Sequence, residues 1–324
     1  MRVVAAANPQ NKVLVNIKKL MVYIRKHWFL YMLVLPGFLH TLIFKITPIY
    51  GLTVAFKTYK MSKGILGSPW ADPILKNFKV LFQDKDFYRV LWNTLVINFY
   101  IIVIGTVFVV FLALMLNEIR RSSIKRICQT MVYFPSFISW VVFAGIISAF
   151  LSPSTGLVNV ILKAIGVESV YFLANNEWIR PVILISGILK TGGFSTIVYM
   201  AALSGINPEL YESAIIDGAN RAHMMWYITL PRICPTIAVL LILSVAGVFA
   251  NMTGGSLFEQ VYNFLNPLVM DKADIVPTYL YRTGLLNGKF EMATALGMTF
   301  SFIGLIVVIL TNKIVKKMDV TGIF

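Results

Sequence analysis

Six stretches of about 20 or more mostly apolar residues recur along the chain, at 28–56, 91–116, 130–151, 181–203, 233–253 and 292–311. Nothing else in the sequence constrains the fold so tightly. Hydrocarbon offers no water to satisfy backbone N–H and C=O groups, so such stretches must close their hydrogen bonds internally as helices that cross a bilayer. The chain therefore reads as an all-α membrane protein with six transmembrane helices. Only 13% of its residues are charged, against about 25% in a soluble domain. The first stretch is interrupted by Lys45 and Pro48, which reads as a span followed by an interfacial turn. The fourth carries Lys190 beside Gly192 and Gly193.

Charge in the connecting segments sets the orientation. With the N-terminus in the cytoplasm, the inner segments hold 15 basic and five acidic residues, and the outer ones 12 and nine. Both termini are thus expected inside. The chain divides into a basic cytoplasmic arm at 1–27, a six-span domain at 28–312 that contains a cytoplasmic loop at 204–232, and a cytoplasmic tail at 313–324. The net charge of +15 comes from residues flanking apolar stretches and forms no continuous patch, so nucleic acid is not an expected partner. A cleavable signal peptide is not expected, because the apolar stretch after the basic arm is too long and lacks a small-residue cleavage site.

Several chemistries find no residues to carry them. Cys128 and Cys234 are far apart, each two residues after an arginine, so neither a disulfide nor a metal site is expected. His27 and His40 stand alone near the membrane surface, and no acidic or histidine cluster suggests a membrane enzyme or any catalytic residue. A phosphate-binding Gly-x-x-x-x-Gly-Lys-Ser/Thr loop is missing, so this chain is not expected to hydrolyse nucleotide itself. The outer segments 57–90 and 254–291 mix aromatic and turn residues, including Pro69-Trp70, Gly254-Gly255, Asn266-Pro267 and Tyr279 to Tyr281. They read as folded caps, with an interfacial aromatic belt as the alternative.

The loop between the fourth and fifth spans has the most distinctive surface. Asn207 suits a helix N-cap, Pro208 the first helical position, and Glu209 the positive helix end. Gly218 can adopt positive φ and stop that helix; a second helical stretch then runs to Leu230, and Pro231 and Pro235 make the return to the membrane. This predicts a flat cytoplasmic helix–turn–helix. Leu210, Ala214 and Ile215 form its apolar stripe, flanked by Glu212 and Asp217. Small side chains admit a close neighbour, and the carboxylates can pair with a partner's basic groups. A helix lying on lipid headgroups would instead favour lysine and arginine.

The run Glu212-Ser213-Ala214-x-x-Asp217-Gly218-Ala219, with Ile228, Leu230-Pro231 and Pro235 after it, resembles the EAA loop of binding-protein-dependent ABC importer permeases. Ser213 replaces the usual second alanine, and Met225, next to Trp226, stands where an aromatic is common. Leu35-Pro36, Asn93-Thr94, Pro135 and Ala293-x-Ala295-Leu296-Gly297 match the carbohydrate branch of that family. The segment 255–284, with Phe258-Glu259-Gln260-Val261, Asn266-Pro267-Leu268-Val269, Asp274-Ile275 and Thr278-Tyr279, is similar to permeases for oligosaccharides cut from complex polysaccharides, importers of acidic ones such as alginate being nearest.

That resemblance implies the type I ABC importer permease fold in a bacterial inner membrane. It implies a second permease subunit in a heterodimer, two cytoplasmic ATP-binding subunits that hold ATP and magnesium, and a periplasmic or extracellular solute-binding protein. Glu212, Ser213, Ala214, Asp217, Gly218, Ala219, Leu230 and Pro231 would couple to the ATPase, with His223 tuning the contact. Polar residues inside the bundle are the candidates for the substrate pathway: Lys190, Asn251 and Thr253, with Tyr199 as a stacking surface for a sugar. Lys190 attracts an acidic sugar on one reading and pairs with a neighbouring subunit's carboxylate, or sits near the interface, on the other. Asn98 reads as an interhelical hydrogen-bonder and Trp140 as packing. Two alternatives stay open: an amino-acid or peptide importer of the same family, and an ion-coupled secondary transporter.

Overall fold

The computed structural model describes residues 23, 25–250, 252 and 254–317. Their regular structure is helical apart from one isolated bridge between Lys57 and Trp70. The expected arm and tail lie almost wholly outside the described residues. Five helices are long and apolar enough to cross a bilayer: Trp28–Phe56, Lys85–Glu118, Ile179–Ser204, Arg221–Phe249 and Phe290–Ile314. A bent pair, Ser122–Phe137 and Trp140–Phe150, passes the same test together and brings the number to six when counted as one broken span.

The chain forms two compact units, Met1–Thr53 and Val54–Phe324. In the first, helix α1 (Trp28–Thr41) runs through Pro36 into a π turn, Leu42–Ile46, and then a 3-10 stretch, Thr47–Phe56, whose last three residues belong to the second unit. The interruption expected at Lys45 and Pro48 is therefore a change of pitch. Thr47 Oγ1 donates to the Leu42 carbonyl at 2.8 Å, which supplies a donor beside a proline that has none.

In the second unit, short α2 (Lys76–Gln83) leads into α3 (Lys85–Glu118), which is capped by the Asp84 carboxylate accepting from the Asp86 amide at 2.9 Å. Next come α4 (Ser122–Tyr133) and α5 (Trp140–Phe150). A straight third span at 130–151 is not what forms. The two segments meet at 105°. Pro135 offers no amide, Ile138 turns extended at ψ 140°, and Ser139 starts a new helix by accepting from the Val142 amide. Such a break leaves carbonyls without partners inside the membrane.

Lys190 supplies the missing donor. Its Nζ donates to the Ile138 carbonyl at 2.6 Å and the Ser136 carbonyl at 3.4 Å, and lies 5.1 Å from the Trp140 ring centroid. Ser136 Oγ donates back to the Lys190 carbonyl at 2.7 Å. Lys190 belongs to α6 (Ile179–Ser204), an unbroken helix with a π turn at Ile188–Gly192. Gly193 completes the joint, since a Cβ there would stand 2.0 Å from the Val132 carbonyl oxygen.

After α6 come α7 (Glu209–Ile216) and α8 (Arg221–Phe249). The segment before α11 (Phe290–Lys317) folds as a cap containing α9 (Ser256–Phe264) and α10 (Val276–Tyr281). Two buried clusters hold the cap. One joins Leu81, Phe87 and Val90 to Val276, Tyr279, Leu296 and Phe300, and the other joins Ile97, Ile179 and Ile183 to Val261, Phe264 and Ile275. A third cluster at the far end packs Val109, Ala113 and Leu116 against Tyr199, Leu203 and Ile233.

Charge locks the cap to the start of α3. The Asp274 carboxylate is fully buried, accepts from Arg282 at 2.6 and 3.2 Å and from Thr278 Oγ1 at 2.8 Å, and lies 4.0 Å from Arg89. Asn93 Nδ2 donates to the carbonyls of Asp271 and Asp274, while its Oδ1 accepts from Arg180 at 2.7 Å. Burial works to lower the Arg282 pKa, but the hydrogen bonds and charge of Asp274 outweigh it and the net direction is up. Burial and a hydrogen bond to Asp84 raise the Tyr279 phenol well above its usual value. Removing one member of a buried pair leaves the other uncompensated. Asp274→Ala should therefore destabilise the purified protein by about 3–5 kcal/mol. Asp271→Ala, at a carboxylate 71% exposed, should cost at most about 1 kcal/mol. Thermal unfolding in detergent compares the two.

Candidate functional site

A cleft of about 730 Å³ is lined by one face of α3, the middle of α6 and the second half of α8. Ser256, Leu257 and Gln260 of α9 and Pro277 of α10 form its roof, and Val109 and Tyr199, both part of the third buried cluster, mark its floor. Helical periodicity brings the lining together. Thr94, Asn98, Ile101, Gly105 and Val109 recur at intervals of three and four on α3, as do Gly187, Thr191, Ser195 and Val198 on α6.

The lining is apolar with scattered neutral polar groups. Asn98, Thr106, Thr191, Ser195, Ser244 and Gln260 offer amides and hydroxyls, and Trp140, Phe194 and Tyr199 offer aromatic rings. Among the described residues no charged side chain lines it. Such a wall can orient a polyhydroxylated ligand by hydrogen bonds while keeping apolar surface for its carbon faces. The π turn at Ile188–Gly192 lies in this wall, and Ile188, Thr191 and Gly192 all line the cleft. Wide turns of this kind are often found at functional sites. The roof is fixed by Gln260 Nε2, which donates to the Ile183 carbonyl and to Ser186 Oγ, and by Trp140 Nε1, which donates to Ser256 Oγ at 2.9 Å. Gly187 leaves the room this needs, since a Cβ there would come within 3.1 Å of the Gln260 amide.

The residues expected along this pathway fare differently. Tyr199 lines the cleft, with only 4% of its surface exposed. Asn251 and Thr253 lie outside the described residues, although Met252 and Gly254 beside them line the cleft. Lys190 is not part of the lining, and its ammonium donates to the backbone carbonyls of Ser136 and Ile138. Asn98 donates within its own helix, to the Thr94 carbonyl at 2.8 Å, and faces the cleft rather than bridging helices. Trp140 packs as expected but also reaches the cleft. Sequence reading missed Thr106, Thr191, Ser195, Ser244 and Gln260. The signal was the spacing of small polar residues on one face of each apolar helix.

At the opposite end, α7 makes a knob. The Asn207 carboxamide accepts from the Glu209 amide at 3.1 Å. The helix closes as a Schellman turn: the Ala219 amide reaches the Ala214 carbonyl at 2.9 Å and the Gly218 amide the Ile215 carbonyl at 3.0 Å, with Gly218 at φ +81°. Asn220 then caps the next helix by accepting from the His223 amide. Two expectations are corrected here. The second stretch does not lie flat and end at Leu230; it is the first part of α8, continuous from Arg221 to Phe249. A π turn at Met225–Thr229 carries the chain past Pro231, because widening that turn removes the need for the amide proline lacks.

The exposed face also differs. Leu210 and Ala214 are half-buried, whereas Glu212, Ser213, Ile215, Ile216 and Asp217 point out, with Ile216 86% exposed. Tyr211 and Thr229 share a hydrogen bond of 2.9 Å that pins the knob to α8. Ala219 and Leu230 are half-buried and Pro231 exposed. His223 stacks on Tyr227, centroids 4.4 Å apart.

Residues 101–320, most of the chain, match the family model for the binding-protein-dependent transport system inner membrane component. The chain belongs to this family, so it is a transport permease rather than an enzyme, and ion-coupled secondary transport is set aside. Among curated relatives it is similar to the polygalacturonan/rhamnogalacturonan transport system permease protein YteP of Bacillus subtilis (strain 168), 39% identical over 95% of this chain and 94% of the relative. Protein LplB of the same organism is 40% identical over 93% of this chain and 92% of its own length. The fold, a type I ABC importer permease, is shared with a crystal structure of a bacterial ABC transporter involved in the import of the acidic polysaccharide alginate. That likeness has a TM-score of 0.82 and 39% identity, and covers 92% of this chain and 99% of the other. A second crystal structure, of a bacterial alginate ABC transporter in complex with alginate pentasaccharide-bound periplasmic protein, also gives a TM-score of 0.82 at 39% identity, covering 94% of this chain and 100% of the other.

The bonds of Lys190 separate a supporting from a ligand-binding role. Lys190→Met leaves two carbonyls without their donor and should lower stability by about 1–3 kcal/mol, while leaving the affinity for a transported solute nearly unchanged. Thermal unfolding and ligand titration of the reconstituted transporter measure the two effects separately.

Proposed function

We propose that this chain forms one half of an ATP-driven import pathway for oligosaccharides, its cleft being this subunit's wall of the passage. The observation that carries the reading is the lining itself: hydroxyls, amides and aromatic rings around about 730 Å³, with no charged side chain among the described residues. Sugars present that pattern in complement, with hydroxyl rims and apolar C–H faces. The names of YteP and of the alginate importers support a cargo cut from an acidic polysaccharide. A negative charge on such a cargo would then be met by the second permease, since the Lys190 ammonium is already held by carbonyls. The amino-acid or peptide alternative has no observation in its favour.

In this reading, both termini and the knob are cytoplasmic, and the cap faces the solute-binding protein. Glu212, Ser213, Asp217 and the exposed Ile216 enter a groove of the ATPase, which holds the ATP and magnesium. Ala214, Gly218 and Ala219 shape the turn that presents them. Closure of the ATPase pair would push on the knob. Because Leu230 and Pro231 lie in an unbroken α8, that push passes straight into a helix whose far half lines the cleft.

The test is reconstitution with the ATPase, second permease and binding protein, followed by oligogalacturonate-stimulated ATP hydrolysis and uptake. Glu212→Lys and Gly218→Pro should each reduce stimulated uptake at least about tenfold while leaving the permease folded; a tenfold change corresponds to about 1.4 kcal/mol in the coupling step. Full activity in both would sink the coupling assignment. Ser244→Trp, which fills the cleft, should block uptake yet leave the ATPase bound to the complex, as co-purification would report.

A further inference from the structure

The roof of the cleft has a second face with its own chemistry. Residues along a helix advance by about 100° each. On α9, Ser256, Leu257 and Gln260 line the cleft, so Phe258 and Tyr262, one turn apart, lie on the far side of the helix. There they meet Tyr281 of α10. The three rings close a triangle, with centroids 5.4 Å apart for Phe258 and Tyr262, 5.6 Å for Phe258 and Tyr281, and 5.3 Å for Tyr262 and Tyr281. None of the rings is buried, and Tyr262 is 47% exposed.

We propose that Phe258, Tyr262 and Tyr281 form a stacking platform for one sugar ring, an outer binding site on the cap separate from the cleft. Aromatic faces carry negative charge density and attract the weakly positive C–H face of a pyranose, while phenol hydroxyls bond to its rim. A lipid-facing aromatic belt would also expose such rings. Tyr281, however, directly precedes Arg282, whose guanidinium pairs with Asp274, so the chain beside this trio is charged, unlike a lipid-facing belt. The platform and the cleft share α9, so a chain held on the outer face has to pass only one helix to reach the inner one. The inference rests on the oligosaccharide reading above.

The test uses the reconstituted transporter with galacturonate trimer as probe and cellotriose as a neutral comparison. The double variant Phe258→Ala/Tyr262→Ala should raise the KM for uptake of one or both sugars about 5–10-fold with kcat unchanged, as expected for the loss of about 1 kcal/mol of stacking. Tyr262→Phe should keep most of the affinity. Saturation-transfer NMR should show magnetisation passing from aromatic protons to the sugar in the wild type and much less in the double variant. Unchanged KM and transfer for both sugars would overturn the platform while leaving oligosaccharide import standing. A fall in kcat alone would mean a structural role and overturn it too. If the wild type takes up no oligosaccharide, the functional reading fails, and the platform with it.

Discussion

An ammonium group set against two backbone carbonyls holds the membrane part of the second unit in shape. The third span cannot be straight, because Pro135 interrupts its hydrogen bonds and Ile138 turns extended. In hydrocarbon the freed carbonyls need a donor. Lys190 reaches across from α6 to provide one, and the same lysine lies over Trp140, whose indole N–H ties down the roof of the cleft. One side chain thus connects the broken span, the helix with the π turn and the cap. Gly193 permits this by letting α4 approach to a distance no larger residue would tolerate.

The rest of the architecture divides the work between two ends. At the cap end, buried apolar clusters and the Asp274 network fasten short helices to α3, α6 and α11, so the roof is stiff rather than tethered. At the knob end, a capped and glycine-closed α7 is pinned through Tyr211 to α8. Between them lies the cleft, whose walls are thinned by glycines and carry no described charge. The passage proposed above would need this combination: a surface that binds its cargo weakly and broadly, suspended between rigid parts that can be moved against each other.

Much of this was legible in the sequence, because each legible part rests on a local rule. Apolar length marked the spans, and the order Asn207, Pro208 and Glu209 with Gly218 marked the knob down to its positive φ. The folded cap was foreseen from its mixture of turns and aromatics. What escaped depends on partners far apart in the chain. Lys190 looked like a site for charge because its carbonyl partners lie more than 50 residues away. Pro231 looked like a stop because nothing local shows that a preceding wide turn will absorb it. The cleft residues escaped for a different reason. Each is an ordinary serine, threonine or glutamine, and only a shared helical face sets them apart.

Two of the π turns, at Ile188–Gly192 and Met225–Thr229, have a consequence of their own. Each holds one residue more than the α-turn it replaces. Taking that residue away would turn everything beyond it by about 100° relative to what comes before. In α6 this would swing one set of side chains out of the cleft and another in. In α8 it would rotate the knob against the wall that α8 contributes to the cleft. The register of these two helices, not only the identity of their residues, therefore decides which groups face the cleft, and a shift of a single position is a discrete step rather than a gradual one.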